Sequence, residues 1–266
     1  MITLLPIVAL GFFLGVRHAT DPDHVIAVTT IVSRQQSIRQ AALIGILWGL
    51  GHTVTILAVG SAIILFGLVI PTRVGLSMEF SVGLMLVLLG VLNLSGIMRW
   101  IMEAFTPMHS EQHFLPHGRR ELSHIHSKGH GSRKRGDTED ATLAGWLHRT
   151  FGRMGFFQVV RPLTVGIVHG LAGSAAVALL VLTTIRVPSW AVFYLLVFGA
   201  GTVAGMMLIT AAIAAPFKFA GSRFARLNRG LGLASGFVSL AFGLFIVYQM
   251  GFVNGLFSNN PLWVPR

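Results

Sequence analysis

Two histidines and two aspartates fall within seven residues of the stretch Gly15-Val-Arg-His-Ala-Thr-Asp-Pro-Asp-His-Val25. Neutral imidazoles and carboxylates are the donors that suit Ni²⁺, Co²⁺ or Zn²⁺, and a chain without Cys has no thiolate for a soft Cu(I) site. The same groups can instead form a buried Asp–His or Arg–Asp couple, with Arg17 as counter-charge to Asp21 or Asp23. They can also relay protons. The flanks sharpen the choice, because Ile2 to Val16 is apolar save Thr3 and Val25 to Val32 is apolar save Thr29 and Thr30. Ionisable groups set in such a run are costly unless they are paired or functional.

A continuous helix would place His18 and His24 about 240° apart, on different faces. Pro22 relaxes that constraint. Asp21 can cap a new helix with Pro22 in its first position and Asp23 and His24 in its first turn. Asp21 therefore has two competing roles, cap and ligand. His52, in Gly49-Leu-Gly-His-Thr53, lies in a second apolar run. It can supply a third imidazole or be a packing histidine bonded to a backbone carbonyl.

The elements that must position these groups are membrane helices. Hydrophobic residues make up 53% of the chain and charged residues 11%, against about 25% charge in a soluble domain, and the mean hydropathy is +0.74. Six apolar segments, 4–32, 41–69, 77–98, 162–183, 188–215 and 231–253, each reach the ~20 residues of a spanning helix. The reading is an all-α polytopic membrane protein with six transmembrane segments, or seven if the first is split at Pro22. The amino terminus has no charged n-region, so its apolar stretch reads as a retained span. The division is a first transmembrane repeat over 1–98, a basic loop over 99–161 and a second repeat over 162–266. The loop carries His109, His113, His117, His124, His126 and His130, a tract that can capture or buffer metal or simply be solvated.

Lys and Arg sort by side. Six spans put sixteen of them on the side of the 33–40, 99–161 and 218–230 connections, and three on the other. The positive-inside rule then places the loop in the cytoplasm and both termini outside, in the plasma (inner) membrane. It also accounts for the net charge of +11 without a nucleic-acid partner.

The two halves resemble each other. Gly15-Val-Arg-His18 matches Gly166-Ile-Val-His169 at an offset of 151, Gly49 and Gly51 match Gly199 and Gly201 at 150, and Gly83 and Gly90 match Gly236 and Gly243 at 153. His169 thereby joins the candidate set opposite His18, while Asp21, Asp23 and His24 face Ala172, Ser174 and Ala175. Repeats of three spans must be inverted across the bilayer, a plan that puts a central site beside a broken helix.

His18-Ala-Thr-Asp-Pro-Asp23-His24 resembles the His-x4-Asp-His signature of the nickel/cobalt transporter family, and Leu50-Gly-His52-Thr53 resembles that family's second motif. The resemblance implies a permease, not an enzyme, that moves Ni²⁺ or Co²⁺, usually inward. It also implies that His18, Asp23, His24 and His52 recognise the metal as transported substrate, with no permanently bound cofactor. The longer permeases have eight spans and an acidic motif in the second half. Here Val168 to Ala176 stands in its place, which is similar to the shorter, urease-accessory-like branch and implies urease maturation machinery or a metallochaperone as a downstream partner. Three alternatives stand beside uptake: an exporter of the same metals, a proton-coupled permease for a non-metal substrate, and a non-transporting membrane metal chaperone or sensor.

Overall fold

The first apolar segment is broken where Pro22 predicts the break. Helix α1 (Leu4–His18) ends in a tight turn in which Thr20 N donates to Arg17 O (2.8 Å) and Asp21 N to His18 O (3.1 Å). Asp21 is extended, with φ −59° and ψ 144°, as the residue before a proline prefers. Helix α2 (Pro22–Val32) then starts on the Val25 N to Asp21 O bond of 3.0 Å. One expectation needs correction. The Asp21 side chain makes no capping hydrogen bond to α2; its carboxylate is taken by His18 instead.

The computed structural model describes residues 4–95 and 156–263, apart from 34, 36, 69, 186 and 224. The six loop histidines, His109 to His130, lie outside the described residues. The remaining helices are α3 (Ile38–Phe66), α4 (Thr72–Leu94), α5 (Phe156–Thr184), α6 (Pro188–Arg223) and α7 (Ala225–Tyr248), the last continuing into a π-helical turn, Gln249–Val253. Ser37 Oγ caps α3 by accepting from Gln40 N, and Gly67 ends it in the left-handed conformation at φ 62°, where glycine carries no Cβ penalty. The polar joint expected over 218–230 is largely helical, since α6 runs to Arg223 and α7 starts at Ala225. Lys and Arg are good helix formers, so their arrival marks the edge of the bilayer rather than the end of the helix.

The fold is all-α and multi-pass. Among the described residues, Ile38–Phe66, Thr72–Leu94, Pro188–Lys218 and Arg229–Val253 are long and apolar enough to cross a membrane, while Val8–His18 and Pro22–Val32 are shorter apolar helices. Helix α3 lies between α5 and α6, α1 packs on α6, and α4 packs on α7. Close approach depends on glycine. A Cβ on Gly15 of α1 would overlap the carbonyl oxygen of Phe198, and one on Gly166 of α5 would overlap the carbonyl oxygen of Trp48.

Polar side chains tie the helices where lipid offers no partner. Asn93 Nδ2 donates to Gly232 O (2.9 Å) and Ser235 Oγ (3.2 Å), and Ser239 Oγ donates to Leu86 O (2.9 Å), all between α4 and α7. Interhelical bonds of this kind contribute on the order of 0.6 kcal/mol each. Asn93→Ala is therefore expected to destabilise the α4–α7 pair by about 1 kcal/mol, read as a lower thermal midpoint in detergent with the helical signal intact.

Candidate metal centre

The break at Pro22 turns the end of α1 and the start of α2 toward α3 and α5. His18 closes α1, Asp23 and His24 open α2, His52 stands at the middle of α3, and His169 stands at the middle of α5. His24, His52 and His169 are buried, at 2%, 0% and 1% exposure.

Six groups predicted from the sequence meet at one place. His18 Nε2 and His52 Nε2 are 3.1 Å apart, and His18 Nδ1 holds Asp21 Oδ2 at 2.7 Å. Asp23 uses both oxygens: Oδ1 lies 3.0 Å from His24 Nδ1 and Oδ2 lies 2.9 Å from His169 Nε2. Asp23 thus bridges the break in the first half to a helix of the second. Ligand atoms of His18, His24 and His52 lie within 4.8 Å of one another, and so do those of Asp23, His24 and His169. His24 belongs to both sets. The His18–His52 separation is close to the ~3.3 Å between two nitrogens on one tetrahedral ion with metal–nitrogen bonds of about 2.0–2.1 Å.

The donor chemistry fits a borderline divalent ion. Four imidazoles and two carboxylates, without sulfur, match nickel, cobalt or zinc better than copper(I) or magnesium. His24 Nε2, His52 Nδ1 and His169 Nδ1 are buried with no hydrogen-bond partner among the described residues. Buried polar atoms are normally paired; on each of these rings the other nitrogen makes the contact inside the cluster, so one ion can engage each imidazole through a single nitrogen.

Arg17 departs from its expected part. It is exposed, and among the described residues no ion pair joins it to Asp21 or Asp23. Two aromatic rings that the sequence reading did not single out complete the walls. Trp48 stacks on His24 at 5.9 Å and meets His169 edge-on at 5.7 Å, and Phe198 lies 5.5 Å from His18. Trp48 precedes His52 by four residues on α3, the spacing that shares a helix face, and that was its available signal. Beside the cluster opens a cavity of about 380 Å³ lined by His18, Asp21, Asp23, His24 and His169 and also by Glu79, Phe242 and Gln249.

A multi-pass helical membrane protein with a buried His/Asp cluster at a helix break is a membrane metal permease in form. Residues 4–224 match the family described as "High-affinity nickel-transport protein". A curated relative, the urease accessory protein UreH of Bacillus sp. (strain TB-90), is 36% identical over 263 residues, covering 99% of this chain and 98% of that protein. The chain belongs to the nickel/cobalt transporter family. It is a transmembrane transporter of divalent metal, with nickel or cobalt as substrate, rather than an enzyme. No solved structure matches it.

Proposed function

We propose that this chain takes up Ni²⁺ or Co²⁺ into the cytoplasm, with His18, Asp23, His24 and His52 as its principal ligands and His169 and Asp21 completing or supporting the set. The observation that carries this reading is the pair of donor triads that share His24 at the wall of a cavity. Metal in the cavity meets Asp21, Asp23 and His18 first, since these are the most exposed of the donors that line it, whereas His52 is not part of the lining.

The architecture proposed is six spans, the first broken into α1 and α2, arranged as two inverted three-span repeats over 1–98 and 162–266 about a cytoplasmic loop. Contacts that recur between the halves support it. Gly15 against Phe198 O has its counterpart in Gly166 against Trp48 O, and Gly51 against Leu163 O has its counterpart in Gly201 against Phe12 O. Gly90 against Gly236 O is matched by Gly243 against Gly83 O. The ring pair His18–Phe198 is matched by His169–Trp48. Every partner in these pairs is related by one of the repeat offsets of 150, 151 and 153. The first turn of α4 and the C-terminal tail meet through Arg73 Nη2, which donates to Ser258 O (3.4 Å), as six spans require of ends on one side. The Lys and Arg distribution orients that side outward. The name of the Bacillus relative favours urease maturation as the destination of the metal.

The test is transport of Ni²⁺, Co²⁺ and Zn²⁺ into proteoliposomes of known orientation. Flux of Ni²⁺ or Co²⁺ from the face opposite the 99–161 loop, lost in His18→Ala, is the expected result. Flux only from the loop face would establish export, and equal flux in His18→Ala would remove the cluster from the pathway.

A further inference from the structure

The cavity beside the cluster has a wall that the ligand set does not explain. Glu79, on α4, lines it together with Asp23 and His169, although α4 contributes none of the clustered donors. A carboxylate two turns inside an apolar span is costly, and the fold takes pains to place this one. Trp263 Nε1 donates to Glu79 Oε1 at 2.7 Å across 184 residues of sequence. The indole ring lies on Gly75, one turn earlier, where any Cβ would overlap it.

The segment that brings Trp263 there is itself fixed. After the π-helical turn, Gly255 reverses the chain at φ 79°. Leu262 N then donates to Asn254 O at 2.9 Å, and Phe257 packs edge-on against Phe80 at 5.5 Å. Among the described residues the tail clasps α4 at Gly75, Glu79 and Phe80, and Trp263 reaches the cavity wall at the Glu79 carboxylate. Its indole N–H orients the oxygen it meets.

We infer that Glu79 is a further cation-binding station of the pathway: a carboxylate, positioned by Trp263, that receives the hydrated divalent ion in the cavity before the His/Asp cluster takes it. This rests on the transport reading above. A carboxylate oxygen can replace water of hydration on a divalent ion, and charge lining a low-dielectric cleft concentrates counter-ions there by tenfold or more. The station therefore acts on capture. The histidines, as stronger nitrogen donors, act on selection.

The experiment is initial-rate Ni²⁺ uptake into proteoliposomes by the full chain and by Glu79→Gln, Glu79→Asp, Trp263→Phe and His18→Ala. Glu79→Gln is expected to raise the apparent KM about tenfold with the maximal rate retained, and the difference is expected to shrink at high ionic strength. Glu79→Asp should restore part of the lost affinity. Trp263→Phe, which keeps a ring on Gly75 and loses the N–H, should give an intermediate KM. An unchanged KM in Glu79→Gln beside a dead His18→Ala overturns the inference and leaves the transport reading standing. A lower maximal rate at unchanged KM in Glu79→Gln overturns it too, because that is the signature of a structural role. Normal flux in His18→Ala overturns the transport reading itself.

Discussion

Replacing His24 by alanine is expected to abolish Ni²⁺ transport in reconstituted vesicles while the helices stay assembled. His24 is the one residue common to both donor triads among the described residues, so its loss leaves two donors in each. Loss of a mere outer-shell partner costs about 10–100-fold in metal affinity. Removing a donor from both sets at once should exceed about 100-fold on the same scale. Truncation also opens space beside Trp48, whose ring stacks on the imidazole. Large-to-small changes in buried sites cost about 2–5 kcal/mol, so His24→Gln belongs beside the alanine variant to keep most of the bulk. Both should lose flux, and His24→Gln should keep the thermal midpoint of the parent. Flux at the parental rate in either variant would contradict the assignment of His24 as the shared ligand.

Gly166→Val is expected to prevent α5 from seating on α3. An added Cβ would overlap Trp48 O and approach Trp48 Cδ1 to 2.7 Å and His52 N to 3.0 Å. Two of those atoms are backbone, which cannot rotate away. Overpacking in a close-packed interior costs about 1–3 kcal/mol and sometimes more, and here the strain falls on the two helices that carry His52 and His169. The outcome should be a lower thermal midpoint, aggregation in detergent and loss of transport together. Gly230→Ala is the comparison, since a Cβ there meets nothing within 4 Å. A monodisperse, transporting Gly166→Val protein with a parental midpoint would refute the packing argument.

The sequence made the break at Pro22 legible because its cause is local: proline has no N–H and restricts the residue before it. His52 was marked by its motif and His169 by the repeat. The cap assigned to Asp21 was legible only in part. The backbone does enter α2 there, but His18, three residues earlier, offers the carboxylate a better partner than the helix N–H groups. Trp48, Glu79 and Gln249 were not read as part of the site, since their place depends on which distant segments pack together. Glu79 is met by Trp263, nearly at the other end of the chain. The extension of α6 through Pro216 to Arg223 was hidden for another reason. Hydropathy reports the solvent a helix sits in, and a helix can outlast the change of solvent.

The donors at the centre also satisfy one another. Asp23 is shared between His24 and His169, and His18 between Asp21 and His52. An arriving ion must therefore displace a set of internal competitors, and a departing ion is helped away by their return. A transported ion must bind firmly enough to be chosen and loosely enough to be let go. In this chain the second requirement is built into the proposed ligands themselves: they form a buffer of mutual hydrogen bonds, so a cation gains by less than its ligand count alone would give.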